Sequence, residues 1–88
     1  DQKLDDANDP NKPLVLSVTM DGVYEVNSVA IEEAELSERL KRMFNARPDN
    51  VLYVDGADDV AYGRVLLGVD YARMGGAAPV VMITKKLE

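Results

Sequence analysis

The side chains best suited to chemistry are three aspartates in a short turn. Asp55, Asp58 and Asp59 surround Gly56-Ala57, directly after the apolar run 51–54. Ligands favour the carboxyl ends of parallel strands, so these aspartates are the candidates for a cation or polar-ligand site. Their spacing lacks the further ligands and late glutamate of a calcium loop. We favour a solvated turn in which Asp58 or Asp59 caps the next helix, and predict no metal and no cofactor.

The other reactive residue types form no catalytic pattern. The chain contains no histidine and no cysteine, so the usual general bases and nucleophile activators are missing. No lysine stands at a motif spacing from any of the scattered serines and threonines. Gly75-Gly76 follows a helix-period segment, whereas a phosphate-binding glycine loop opens one. We therefore predict that the chain is not an enzyme.

Composition favours one small folded domain. The 88 residues are 47% hydrophobic, which excludes wholesale disorder. The net charge of −6 argues against nucleic acid or an anionic membrane surface as a partner. We interpret 1–11 as a flexible acidic linker that follows an absent membrane anchor. Residues 12–86 are the expected domain, and Leu87-Glu88 has the appearance of an expression-tag remnant.

Two segments must position the acidic turn. The run 51–54 predicts a buried strand, and 60–74 predicts a helix that stops at Gly75-Gly76. A last strand is expected over 79–84, which makes a parallel βαβ unit. The helix face expected to be buried consists of Tyr62, Val65, Leu66, Val69 and Ala72.

The first half of the chain predicts a hairpin and a helix. Alternating residues 14–20 indicate a strand, and Asp21-Gly22 predicts a two-residue type I′ turn into a strand over 23–26. A helix is expected from about Ile31 to Ala46, with an apolar stripe of Leu36, Leu40, Met43 and Phe44. The expected fold class is α+β, a ββαβαβ two-layer sandwich with two helices on one face of a mixed sheet.

Two apolar features are candidate partner or dimer interfaces. Leu67, Tyr71 and Met74 form a second stripe on the later helix, which indicates either partner contact or packing beneath another part of the chain. The last strand is apolar on both faces. At a sheet edge it would offer main-chain groups to another chain around Val80, Met82 and Thr84, whereas a central position would also suit it.

Three stretches, in order and spacing, carry a resemblance to a known family. They are Pro13-Leu14-Val15-Leu16-Ser17-Val18 through Asp21-Gly22-Val23-Tyr24 to Asn27; Leu36-Ser37-Glu38-Arg39-Leu40-Lys41 with Arg47-Pro48-Asp49; and Val54-Asp55-Gly56-Ala57-Asp58-Asp59-Val60-Ala61-Tyr62-Gly63-Arg64-Val65 with Asp70 and the glycine stop. The chain resembles the periplasmic domain of the ExbD/TolR family over 12–85, and its short hairpin is closer to ExbD. Ala61 departs from the family's usual proline, and the stripe at Leu67, Tyr71 and Met74 departs from its usual polar residues.

The resemblance implies a role in energy transduction. It implies a homodimeric periplasmic domain, anchored in the inner membrane by an N-terminal helix, that couples an ExbB/TolQ-type channel to a TonB/TolA-type transducer. The motor would be driven by the proton-motive force and would serve outer-membrane import or envelope maintenance, with peptidoglycan as a candidate contact. The family's membrane helix and its proton-carrying aspartate are absent from this chain.

The alternative function is a small regulatory or ligand-sensing domain. It would bind a cation or polar ligand at Asp55, Asp58 and Asp59. The metal version of this hypothesis requires that calcium or magnesium raise the stability of the fold, because a ligand that binds only the folded state must do so.

Overall fold

The computed structural model describes residues 12–57 and 60–83 of the chain. The elements, in chain order, are β1 (Val15–Val18), β2 (Tyr24–Val26), β3 (Val29–Ile31), a 3₁₀ turn (Glu33–Glu35), α1 (Leu36–Asn45), β4 (Leu52–Gly56), α2 (Tyr62–Met74) and β5 (Val80–Ile83). None of the helices in these two ranges is long and apolar enough to span a membrane.

The five strands form one mixed sheet. Their order is β3-β2-β1-β4-β5. The pairs β1–β2 and β2–β3 are antiparallel, whereas β4 lies parallel to both β1 and β5. Both helices contribute to a single core on one face of this sheet. The predicted α+β class, with two helices on one face of a mixed sheet, is confirmed.

Strand β3 was not predicted from the sequence. Val26 pairs with Val29 across Asn27-Ser28, whose φ angles of +48° and +75° are those of a type I′ turn. The Asn27 side chain accepts a 2.7 Å hydrogen bond from the Val15 amide and donates one of 3.1 Å to the Pro13 carbonyl. The chain therefore continues as a strand to Ile31, and the helix predicted from that residue begins at Leu36.

A hairpin connection does lie at Asp21-Gly22, as predicted, but it is not the predicted two-residue type I′ turn. The connection between β1 and β2 is the loop 19–23, in which Gly22 has φ +83° and Asp21 does not have a positive φ. The Gly22 amide donates to the Thr19 carbonyl at 2.8 Å, and the Thr19 amide donates to the Val23 carbonyl at 2.9 Å. These bonds close a wider hairpin that needs left-handed backbone at only one position.

The core lies between the sheet and the two helices. From α1, the predicted stripe is confirmed, since Leu36, Leu40 and Phe44 are buried and Met43 packs against them. The buried side chains of the sheet alternate along each strand. They are Leu14, Leu16 and Val18 near or on β1, Tyr24 and Val26 on β2, Ile31 on β3, and Leu52 and Val54 on β4.

The buried face of α2 differs from the predicted one. Val65, Val69 and Ala72 are buried as expected, but Gly68 completes this face. Tyr62 and Leu66, predicted to be buried, are 69% and 45% exposed. The reason is the Tyr24 ring, which occupies the space in front of Gly68 and rotates the contact face of the helix toward it.

The predicted glycine stop after α2 is confirmed. Gly76 has φ +102°, and the Ala77 amide donates to the Ala72 carbonyl at 3.0 Å. This is the hydrogen bond of a Schellman ending, which turns the chain out of the helix and into β5.

Candidate functional site

Strand β5 is an edge of the sheet. It pairs with β4 on one side, and no described strand lies on its other side. Because the Leu52 amide donates to the Pro79 carbonyl, alternation along the parallel ladder turns the N–H and C=O groups of Val80 and Met82 away from β4. The sequence allowed either an edge or a central position for this strand, and in the structure it lies at the edge.

The side chains of β5 are exposed on both faces of the sheet. Met82 pairs with the buried Val54, so it points to the helix side and is 43% exposed. Val81 pairs with Tyr53 on the bare side and is 38% exposed, and Ile83 is 37% exposed. Val80 packs partly against the core. Proteins normally shield exposed apolar edge strands, because such strands can pair with another chain. The outer edge of β5 is therefore the candidate partner site.

The stripe predicted on α2 splits into three different environments. Leu67 is half-buried, whereas Met74 is 71% exposed. Tyr71 is half-buried against the core, and its ring meets that of Tyr24 edge-on at 6.2 Å and 82°. The stripe is therefore not one continuous surface. Thr84, the remaining interface candidate, lies outside the described residues.

Glu33 is the centre of a polar network that holds α2 against the hairpin. The Tyr71 hydroxyl donates to Glu33 Oε2 at 2.6 Å, and Arg64 Nη1 donates to Glu33 Oε1 at 2.8 Å. Arg64 Nε donates to the Gly22 carbonyl at 2.8 Å, and its guanidinium lies 4.4 Å from the Tyr24 ring centre. The Tyr24 hydroxyl donates to the Arg64 carbonyl at 2.8 Å. We refer to these contacts as the Glu33 network.

The Glu33 network shifts the ionisation of its members. The hydrogen bond from Tyr71, followed by that from Arg64, lowers the pKa of Glu33 below its usual range. The same bond raises the pKa of Tyr71. Burial raises the pKa of Tyr24, with the nearby Arg64 charge opposing it. The network is therefore most stable with Glu33 charged and both tyrosines neutral.

An open depression of about 410 Å³ borders the Glu33 network. Its lining residues are Asp21, Gly22, Val23, Tyr24, Ala30, Ile31, Glu32, Glu33 and Arg64. The Arg64 guanidinium already binds a carbonyl and a carboxylate at this place. The contacts of Arg64 with Gly22 and Glu33 therefore stabilise the fold itself.

The acidic turn is only partly described. Asp55 is half-buried on β4 and pairs in register with Ser17 and Ile83. Asp58 and Asp59 lie outside the described residues. Within 12–57 and 60–83, no three His, Cys, Asp or Glu side chains gather as metal ligands would. The N-cap residue of α2 is Ala61, which provides no side-chain cap.

Sequence reasoning missed two sets of residues. Neither Glu33 nor Arg64 was predicted to be a site residue, and their contact depends on the unpredicted strand β3, which brings the 3₁₀ turn beside α2. Tyr62 and Leu66 were assigned to the wrong face of α2; the glycine at position 68 was the available signal, because a helix glycine often marks close packing. The chain matches no protein-family model, and no curated protein matches it significantly.

Proposed function

We propose that this chain is the periplasmic interaction domain of an ExbD-like subunit in an inner-membrane energy-transduction complex. In this proposal the domain binds a TonB/TolA-type transducer while its own membrane anchor joins an ExbB/TolQ-type channel driven by the proton-motive force. It acts by binding another polypeptide and carries out no reaction. The family and the compartment come from the sequence resemblance. The binding mode comes from the geometry of the sheet.

The observation that carries the proposal is the open edge of β5. Outward main-chain groups at Val80 and Met82 can pair with an extended segment, which would then become a sixth strand. Apolar side chains at Val81, Met82 and Ile83 are exposed on both faces beside that position. Such an edge promotes unwanted association unless a partner covers it. A strand-adding partner satisfies both the hydrogen bonds and the apolar surface.

An added strand would be well placed to transmit force. It would join β5, which pairs with β4, which in turn pairs with β1. Leu16, Leu52 and Val54 on these inner strands have no exposed surface. Tension on a segment bound at the edge would therefore reach the most deeply packed part of the fold through a continuous hydrogen-bonded sheet.

Two occupants compete for the edge in this account. The homodimer that the resemblance implies would place a second copy of β5 against the first, and a transducer segment would use the same outward groups. Sedimentation velocity over a range of protein concentrations, with and without the segment, distinguishes the two. We expect the segment to lower the fraction of any dimer that forms through this edge.

The test of the proposal is a titration of the isotope-labelled domain. The probe is an extended peptide from the transducer encoded beside the full-length gene, and the readout is the amide shift of each residue. We expect the largest shifts in Val80–Ile83, with smaller shifts at the paired positions in Leu52–Gly56. Binding without shifts in β5, or no binding at millimolar peptide, would overturn the proposal.

A further inference from the structure

We infer that the flank of α2 that carries Tyr62 and Leu66 selects the side chains of the segment added to β5. The inference rests on the proposed strand addition, and it names two residues that would determine which partner sequences bind. Both are exposed apolar side chains in a domain of net charge −6. Neither belongs to the Glu33 network or to the core.

The two flanks of α2 face opposite ends of the sheet. Arg64 and Tyr71 lie on the flank that contacts Glu33 and the loop before β2. Tyr62 and Leu66 are four residues apart, so they lie one above the other, and helix geometry places them on the opposite flank. The helix itself packs over β1 and β4. Since β2 and β3 lie on the first side, the flank with Tyr62 and Leu66 faces β5.

The distances of ordinary sheets bring this flank within reach of an added strand. Neighbouring strands are about 4.8 Å apart, so an added strand would lie roughly 10 Å beyond β4, over which α2 packs. A helix with its side chains is about 10–12 Å wide, so its β5 flank extends about 5–6 Å from the helix axis and ends above β5. Only a large side chain on the helix side of the added strand can therefore close the remaining gap and contact this flank.

The two faces of an added strand would meet different surroundings. On the helix side lie Met82, which is 43% exposed, and the flank residues Leu66 and Tyr62 at 45% and 69%. On the bare side lie Val81 and Ile83, and no described helix covers that face. Side chains of the partner that point to the helix side would be enclosed, and those on the other side would meet only the exposed side chains of Val81 and Ile83.

The occupant is thus an extended polypeptide with large apolar residues at alternate positions. The outward groups of Val80 and Met82 require main-chain donors and acceptors in strand spacing, which a helix or a small ligand does not offer. Period-two side chains then send every second residue of the partner toward Leu66 and Tyr62. The intervening positions are expected to accept polar residues.

The experiment measures peptide affinity for matched variants of the domain. The probe is the transducer segment used above, together with two versions in which alternate residues are replaced by serine. Leu66→Ser and Tyr62→Ser are expected to weaken binding about tenfold, in line with the loss of one buried apolar side chain. The matched controls Met20→Ser and Val23→Ser change apolar residues of the loop between β1 and β2 that are 64% and 43% exposed, and they are expected to leave the affinity unchanged. Urea unfolding establishes that every variant is folded.

The outcomes separate the inference from the proposed function. Sensitivity to Leu66→Ser and Tyr62→Ser, together with sensitivity to one serine-substituted peptide and not the other, supports the inference. Equal losses of affinity in the Met20→Ser and Val23→Ser controls, or unchanged affinity in Leu66→Ser and Tyr62→Ser, overturn the inference while strand addition stands. A peptide that fails to bind the unaltered domain overturns both.

Discussion

The Tyr71 hydroxyl donates a 2.6 Å hydrogen bond to Glu33 Oε2 and so joins residues 38 positions apart. This bond uses the polar end of Tyr71 inside the fold, while its ring packs against Tyr24. The flank of α2 that carries Tyr71 therefore packs within the domain. The exposed apolar residues of the opposite flank, Tyr62 and Leu66, lie toward the open edge of β5.

Glu33→Gln is expected to destabilise the domain at neutral pH and to flatten its loss of stability in acid. A carboxylate whose pKa is lowered in the folded state contributes stability above the pKa of the unfolded chain, about 4.3 for glutamate. That contribution disappears as the pH falls through the lowered folded value. Urea unfolding at a series of pH values between about 2 and 7 measures the effect.

Glu32→Gln is the matched control, since its side chain is exposed and belongs to no network contact. This variant should retain the acid dependence of the unaltered domain. An equal loss of stability at neutral pH in both variants would show that the bonds from Tyr71 and Arg64 are not the cause of the loss.

Tyr71→Phe is expected to raise the pKa of Glu33 toward its usual range. The hydrogen bond from Tyr71 is the largest cause that lowers this pKa, and phenylalanine removes it while keeping the ring against Tyr24. The carbon resonance of the Glu33 carboxyl, followed against pH, gives the value directly. An unchanged titration of Glu33 would contradict the 2.6 Å bond.

The same pair predicts alkaline sensitivity. The pKa of Tyr71 is raised in the folded state. Its hydrogen bond to Glu33 therefore contributes fully to the stability of the domain below the usual tyrosine pKa of about 10. It is lost as the pH rises through the raised value. We expect the unaltered domain to lose stability there, and Tyr71→Phe to lose less over the same interval.

Gly68→Ala and Gly63→Ala are expected to change stability in opposite directions. A Cβ at Gly68 would lie 2.7 Å from Tyr24 Cε1, and that ring is 1% exposed and cannot move aside. Overpacking of this kind costs about 1–3 kcal/mol. A Cβ at Gly63 meets nothing within 4 Å, so alanine should stabilise α2 by up to about 1 kcal/mol. A tolerated Gly68→Ala in urea unfolding would mean that α2 does not pack on Tyr24 as described.

Ser28→Gly is expected to stabilise the turn between β2 and β3. Ser28 has φ +75°, a conformation that costs an L-residue about 1 kcal/mol and costs glycine little. Asn27→Gly should destabilise the domain despite its φ of +48°, because the side chain binds Val15 and Pro13. Thermal unfolding of the two variants checks the signs, and a loss of stability in Ser28→Gly would argue against a type I′ turn.

Sequence patterns predicted the elements that a local apolar run, a helical period or a glycine pair marks. The strand at β4, the stripe of Leu36, Leu40 and Phe44, and the left-handed stop at Gly76 all follow from spacing and backbone sterics. Strand β3 did not, because three residues after a turn are too few to show a period. Its signal was Asn27-Ser28 between Val26 and Val29, because asparagine is one of the few residues other than glycine that tolerate positive φ.

The candidate site was predictable in part. Apolar residues on both faces of β5 suited an edge or a central strand equally, and only the pairing with β4 decides between them. The stripe at Leu67, Tyr71 and Met74 was ambiguous for a different reason. The partner of Tyr71 is Glu33, on an element whose position depends on tertiary pairing and not on local sequence.

Proline at position 82 tests the central claim most directly. The Met82 amide points away from β4, so Met82→Pro removes one outward donor without breaking a ladder bond, as edge strands permit. Met82→Ala removes the same side chain and keeps the amide. The measurement is the affinity of the transducer segment for the two variants, with urea unfolding as the check that each is folded. Strand addition at β5 predicts that Met82→Pro binds at least about fivefold more weakly than Met82→Ala, since one unmade main-chain bond costs about 1–3 kcal/mol. Equal affinities for two folded variants would contradict it.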